Sequence, residues 1–178
     1  MSSTQSCSRD SAQIVDVLLA VDVLTLLARY PGASRDPGMP TPVDGEASFV
    51  LAPSMQGIEA DRAGRLRVCA AAGAKLRLRA TALALRGEHA VLLSEVRQPQ
   101  DSRSLSSPSS EVDAHAEIGV PQAQHPERPL RRPAVDHFWQ MSVLGQGRGE
   151  FRVGIMLTGR DGVPLGCFRF SLAYEISE

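Results

Sequence analysis

The chain has 178 residues, 43% of them hydrophobic, so it is long enough for one domain with a real core and short for two. Its 19 basic and 20 acidic residues leave a formal net charge of −1, which argues against nucleic-acid binding and against membrane binding through surface charge. No segment approaches the roughly 20 apolar residues of a transmembrane helix or has the pattern of a secretory signal.

The three cysteines, Cys7, Cys69 and Cys167, are odd in number and widely spaced, which does not indicate a disulfide framework. We therefore predict a reduced, cytoplasmic protein, with leaderless export as the open alternative. Cys69 and Cys167 lie in strand-like segments, where buried free thiols are expected, although a single bridge between them is also open.

The N-terminal region divides into a tail, a strand and a short helix. Residues 1–12 are polar and Ser-rich without periodicity, so we predict a flexible tail. Residues 13–21 form a near-continuous apolar run that predicts a strand covered on both faces, with a single helix over residues 14–29 as the competing interpretation. Asp22 suits the N-cap of a short helix that Pro31 ends.

A proline-punctuated loop follows the helix. Residues 30–41 contain three prolines, each of which holds φ at roughly −65° and removes a backbone donor. In and after this loop, Asp36 and Asp44 place carboxylates at an edge of the predicted sheet, where such oxygens can bind Ca²⁺ or sugar hydroxyls. The competing interpretation gives Asp36 a structural role in an Asx-turn.

Short strand-like segments recur after this loop, at residues 47–52, 65–70, 75–85 and 89–96. In the third of them, apolar residues alternate with Lys75, Arg77 and Arg79, which is typical of a sheet with one solvated face. The turn at Arg86-Gly87-Glu88 predicts a hairpin between the third and fourth segments. The stripe Lys75, Arg77 and Arg79 is interpreted as a solvated face or, alternatively, as part of an assembly interface.

Residues 98–133 have a different character. They hold six of the twelve prolines and a Ser-rich run at Ser102–Ser110, and they show almost no aliphatic periodicity. We predict a long Pro/Ser-rich loop insertion that is either mobile or functional.

The C-terminal third returns to strands, at residues 138–144, 151–158 and 166–174. Asp161-Gly162 predicts a hairpin between the last two. About seven or eight short strands with one short helix near the N-terminus are typical of an antiparallel β-sandwich of the jelly-roll or immunoglobulin-like type. We therefore predict an all-β fold, with residues 13–178 as a single β-sandwich domain into which the 98–133 loop is inserted.

Two further side chains bear on function. Trp139, the only tryptophan, could stack on a sugar if exposed, although tryptophans in sandwiches more commonly lie in the core. Asp16 lies inside an apolar strand and needs a partner, which we expect to be Arg152 or Arg169 on a neighbouring strand. The spacing of the histidines indicates no metal site, and no sequence motif indicates a catalytic nucleophile or a cofactor.

Two blocks of sequence carry a family resemblance: Val15-Asp16-Val17-Leu18-Leu19-Ala20-Val21-Asp22 with Tyr30-Pro31, Asp36-Pro37 and Pro40-Thr41, then Phe138-Trp139-Gln140 with Arg152–Leu157 and Gly166-Cys167-Phe168-Arg169-Phe170. Through these blocks the chain resembles the AidA/PixA inclusion-body family of bacterial proteins, over most of residues 13–176 outside the 98–133 insertion. The resemblance implies a β-sandwich, expression linked to quorum sensing, virulence or symbiosis, and accumulation in intracellular inclusions. It supplies no catalytic residues.

We therefore predict a non-enzymatic accessory or virulence-associated protein that acts by binding or self-assembly and needs no cofactor. The alternative is a carbohydrate-binding sandwich, Ca²⁺-assisted, with a ligand site formed by Asp36, Asp44 and Trp139. The expected partners are further copies of the chain or a glycan, and neither nucleic acid nor a membrane is expected.

Overall fold

The computed structural model describes residues 13–52, 58–60, 65–83, 87–99 and 102–177. These residues form one helix, α1 (Val23–Arg29), and the strands β1 (Ile14–Val21), β2 (Thr41–Pro42), β3 (Ser48–Leu51), β4 (Ile58–Ala60), β5 (Leu66–Cys69), β6 (Lys75–Ala82), β7 (His89–Arg97), β8 (Ser109–Val120), β9 (Leu130–Ser142), β10 (Gly147–Gly159) and β11 (Pro164–Ser177). The tail predicted for residues 1–12 lies outside the described residues.

The strands form two sheets that enclose one hydrophobic core. Sheet A has the order β3-β1-β6-β9-β8, and sheet B has the order β4-β5-β11-β10-β7 with β2 beside β11. The core between them takes Leu76 and Leu78 from sheet A and Phe151, Phe168 and Tyr174 from sheet B, all completely or almost completely buried. The prediction of a fold built mainly from strands, with one short helix near the N-terminus, is confirmed.

The sheets are mixed, so the prediction of an antiparallel sandwich is wrong in this respect. β1 runs parallel to β6, and β11 runs parallel to both β2 and β5. Parallel neighbours need a long crossover connection, and α1 with β2 to β5 supplies one between β1 and β6. Period-2 alternation shows which face of a strand is buried but not the direction of its neighbour.

The N-terminal strand and helix form as predicted. Asp22 caps α1, accepting from the backbone N–H of Thr25 at 3.1 Å and from its hydroxyl at 2.7 Å. Val23 and Leu26 of α1 are buried, and the helix ends before Pro31. The outward face of β1 is only partly covered, so the expectation of burial on both faces is wrong for its first half.

The hairpin predicted between β6 and β7 does not form. β6 pairs with β1 and β9 in sheet A, whereas β7 pairs with β10 in sheet B. Both strands bury one face in the same core, so their alternation does not reveal that the chain changes sheets between them. The β10–β11 hairpin is confirmed, with Gly162 in its turn at φ +75°.

The largest departure from expectation is in residues 98–133, where a long loop was predicted. β8 and β9 form an antiparallel hairpin whose register runs from Ser109 beside Gln140 to Val120 beside Leu130. Three prolines lie just outside the two strands, namely Pro108, Pro121 and Pro129. Because β8 is exposed along almost its whole length, it has no buried face and therefore no alternation of apolar and polar residues.

Candidate functional site

The two loop aspartates are held in local turns. Asp36 Oδ1 accepts from the backbone N–H of Gly38 at 2.8 Å, which confirms the Asx-turn interpretation. Asp44 Oδ1 accepts in the same way from the backbone N–H of Glu46 at 3.2 Å. Both aspartates are exposed, and they flank the short strand β2.

Trp139 faces the core. It is partly buried and packs against the hydrophobic cluster between the sheets. Its indole N–H donates to the carbonyl of Leu93 on β7 at 2.9 Å, which joins the two sheets near one edge. The expectation that a sandwich tryptophan lies in the core is therefore confirmed.

The three residues predicted to form a ligand site are not brought together. Asp36 and Asp44 flank β2, which pairs with β11 on one side of sheet B. Trp139 contacts β7, which lies at the other edge of that sheet, with β10 between β7 and β11. At about 4.8 Å between neighbouring strands, this order separates the aspartates from the indole by the width of several strands.

The outer face of sheet A carries an ion cluster centred on Arg79. Its guanidinium donates to Asp136 on β9, at 2.9 Å from Nε to Oδ1 and 2.7 Å from Nη2 to Oδ2, and to Asp16 on β1. Arg79 is thus the partner that Asp16 requires, and the prediction of Arg152 or Arg169 is wrong because β6, not β10 or β11, lies beside β1. The hydrogen bonds from Arg79 lower the pKa of Asp136, and those to Asp136 and Asp16 raise the pKa of Arg79.

The whole basic stripe of β6 has partners within its own chain. The guanidinium groups of Arg77 and Arg79 lie 4.7 and 4.6 Å from the ring centroid of Phe138, a cation–π arrangement. Arg77 also donates to the side chain of Gln140 at 3.0 Å, and Lys75 donates to the hydroxyl of Ser142 at 2.7 Å. The stripe is therefore a cross-strand network between β6 and β9, which the alternation in the sequence could not reveal.

The β8–β9 hairpin extends beyond the rest of sheet A. β9 pairs with β6 only over residues 139–142, and in the remaining part of the hairpin its neighbour is β8. We call residues 111–137 the arm. Large apolar side chains on it are 46–69% exposed: Val112, Ile118, Leu130 and Val135. Surface of this kind, built from paired strands and not covered by the core, is typical of an interaction site.

The base of the arm is fixed to the body. The hydroxyl of Tyr174 on β11 is 2.9 Å from that of Ser102 and 3.3 Å from that of the buried Ser104. The side-chain amide of Gln98 donates to the carbonyls of Leu105 and Ser106 at 3.1 and 2.8 Å. This segment, residues 102–106, crosses from sheet B to sheet A, so the start of β8 is held in place.

Neither a metal-binding cluster nor a membrane-spanning helix is present among the described residues. No group of three or more His, Cys, Asp or Glu side chains among them could hold a metal ion. Burial raises the pKa of the Cys167 thiol, which is free and therefore not bonded to Cys69. Cys69 is disulfide-bonded, so the expectation of a free thiol is confirmed for Cys167 and wrong for Cys69. No helix in the described ranges is long and apolar enough to cross a membrane.

Comparison with known proteins gives one family. The model of the PixA family, described as inclusion body protein, matches residues 13–176. The crystal structure of an inclusion body protein from Burkholderia cenocepacia J2315 superposes with a TM-score of 0.76 at 18% identity, covering 94% of this chain and 98% of that one, which establishes the common fold. None of the curated proteins matches the chain. Since the family model spans nearly the whole sequence, the chain belongs to the PixA inclusion body protein family, as its resemblance indicated.

Proposed function

We propose that this protein works by self-association rather than by catalysis, as an accessory protein of a quorum-regulated or virulence-associated programme. The observation that carries the proposal is the arm, which presents paired strands with exposed apolar side chains outside the core. Membership of a family described as inclusion body protein supports it, because inclusions form by association of many copies.

The titratable groups whose pKa is shifted support the non-catalytic part of the proposal. Asp136 and Arg79 stabilise each other in an ion pair, and the pKa of Asp22 is lowered by its hydrogen bonds to Thr25 at the start of α1. The raised pKa of Cys167 keeps its thiol protonated, whereas a nucleophilic cysteine needs a lowered pKa. Each of these shifts has a structural cause, and none indicates an activated acid, base or nucleophile.

Sedimentation equilibrium of the purified protein tests the proposal. We expect the weight-average mass to rise with protein concentration, since association obeys mass action. A mass that stays at that of the monomer over the whole accessible concentration range would overturn self-association.

The alternative proposal is Ca²⁺-assisted binding of a carbohydrate. The observation in its favour is that Asp36 and Asp44 are both exposed and flank the same short strand, β2. A glycan array should then show selective binding with Ca²⁺ and none with EDTA, and Asp36→Asn with Asp44→Asn should abolish it. Asp161→Asn, in the exposed turn between β10 and β11, is the control. A blank array under both conditions would end this alternative.

We also propose that the protein resides in the cytoplasm, where its association would form inclusions. Fluorescence microscopy of the tagged chain in its bacterial host, together with cell fractionation, tests this. Protein found mainly in the culture medium would favour leaderless export instead.

A further inference from the structure

We propose that two copies of the chain associate through the outer faces of their arms, in an antiparallel arrangement with a two-fold axis at the Ala116–Ala134 pair. This inference rests on the proposed self-association and names the surface through which it occurs. Three observations support the inference: the arm has two faces, unpaired charges are distributed unevenly along one of them, and Ala116 and Ala134 lie at the centre of that face.

The register of the hairpin assigns each arm residue to a face. Trp139 of β9 faces the core, so the even-numbered residues of that strand face outward, as the contact of Phe138 with Arg79 confirms. The outward pairs, from base to tip, are Glu111–Phe138, Asp113–Asp136, Ala116–Ala134, Ile118–Arg132 and Val120–Leu130.

Unpaired charges of opposite sign lie at the two ends of this outward face. Glu111 and Asp113 are at the base, and Arg132 is near the tip. None of these three has an ion-pair partner among the described residues. On the inward face, by contrast, Arg131 lies 3.4 Å from Glu117 of its own chain. The outward face of the arm is therefore acidic at one end and basic at the other.

A two-fold axis through the alanine pair matches these charges. Asp136 lies two residues from Ala134 toward the base, and Arg132 lies two residues from it toward the tip. Each is therefore about 7 Å from Ala134 along the strand. Rotation about an axis across the strands places Arg132 of one copy over Asp136 and beside Asp113 of the other, and the same contact repeats at the symmetry-related position. The small alanines at the centre let the two sheets approach closely.

In this arrangement the apolar tip of one arm also contacts the base of the other arm. Leu130 lies four residues from Ala134 on one side, and Phe138 lies four residues away on the other. Leu130 of one copy would therefore cover Phe138 and its stacked guanidinium groups on the other copy. The exposed side chain of Leu130 is thereby removed from water at each end of the interface.

The free edge of β8 is less suited to association than its face. Three acidic residues, Glu111, Asp113 and Glu117, lie along it, and its register shifts between Asp113 and Ala116. Charged side chains and bulges are the features by which proteins prevent edge-to-edge pairing of strands. The outward face of the arm is thus better suited to a second copy than its edge.

Charge reversal at the two ends of the face tests the inference. Arg132→Asp should place like charges together in the dimer and weaken association at least about tenfold in sedimentation equilibrium. Asp113→Arg should do the same, because the introduced guanidinium would meet Arg132 of the other copy. An equimolar mixture of the two variants should associate more strongly than either variant alone, since the introduced aspartate of one copy then lies beside the introduced guanidinium of the other, and the second contact is that of the wild type. Arg131→Asp, one residue away on the inward face, is the matched control and should associate as the wild type does.

The outcomes separate this inference from the function on which it rests. Wild-type association that persists in Arg132→Asp, or a mixture that does not recover, would overturn the arm interface and leave self-association standing. A wild type that is monomeric throughout would overturn both. Thermal melts of each variant check folding; should Asp113→Arg prove unfolded, the comparison of Arg132→Asp with Arg131→Asp still decides.

Discussion

Arg79 connects three strands of sheet A through its side chain alone. It hydrogen-bonds Asp16 on β1 and Asp136 on β9, and it stacks on Phe138. Without it, the two carboxylates would lie on the same face without the guanidinium that hydrogen-bonds both of them. The residue that looks like part of a solvated stripe in the sequence is therefore a structural element of the sheet.

The lowered pKa of Asp136 predicts a pH-dependent effect on stability. Asp136→Asn removes a charge-assisted pair and should lower the free energy of unfolding by about 1–2 kcal/mol at neutral pH, since all partners are partly exposed. The pKa of Asp136 is lower in the folded state than its unfolded value of about 3.9. The ionised carboxylate therefore stabilises the fold above the unfolded pKa, and this stability is lost as the pH falls through the folded pKa. The difference between variant and wild type should therefore shrink on acidification.

Urea denaturation at neutral and acid pH measures this effect. Asp113→Asn is the matched control, because Asp113 faces Asp136 across the strands but does not contact Arg79, and its loss should be near neutral. Equal destabilisation by the two variants, or a pH-independent effect of Asp136→Asn, would contradict the assigned role.

Residue-level inference from sequence succeeded where the partner is local. The cap at Asp22 and the turn at Asp36 involve backbone groups two or three residues away, so their chemistry can be read from the neighbouring sequence. The partner of Asp16 lies 63 positions along the chain, and finding it requires knowing that β6 is the parallel neighbour of β1.

At the scale of elements, the segment 102–106 determines where the arm begins. Its contacts with Tyr174, together with the backbone bond from Ser106 N–H to the carbonyl of Ser142 at 2.9 Å, hold it against both sheets. The buried Leu105 adds an apolar anchor within the same segment.

Tyr174→Phe should loosen this anchor. The substitution removes one hydroxyl from a partly buried network and should cost about 1 kcal/mol, leaving Ser104 without this partner. Hydrogen exchange should then become faster at the amides of Ser106 and Leu144, which bond across the segment. Tyr30→Phe, at the other tyrosine, is the control and should leave these amides unchanged. Unaltered exchange in Tyr174→Phe would mean that the hydroxyl network does not hold the segment.

Element prediction failed where strands have no buried face. β10 and β11, which pack side chains in the core, were both predicted as strands from the sequence. β8 is paired on one side but exposed on both faces, and its composition resembles that of a loop. Alternation reports burial rather than hydrogen bonding, so an uncovered hairpin gives no such signal.

At the scale of the whole molecule, a body of two packed sheets carries a projecting arm. The ligand site expected from Asp36, Asp44 and Trp139 could not be assessed from sequence, because the distance between these residues depends on strand order. The same strand order leaves β8 and the outer part of β9 beyond the core, with apolar and charged side chains that the body does not use.

Removal of the arm tests the central claim most directly. Replacing residues 114–135 by Asn-Gly would close β8 and β9 with a two-residue turn between Asp113 and Asp136, and all core contacts would remain. We predict that sedimentation equilibrium shows the wild type associating with concentration, while the shortened protein stays monomeric and melts at the same temperature. A folded, shortened protein that associates as strongly as the wild type would contradict the account.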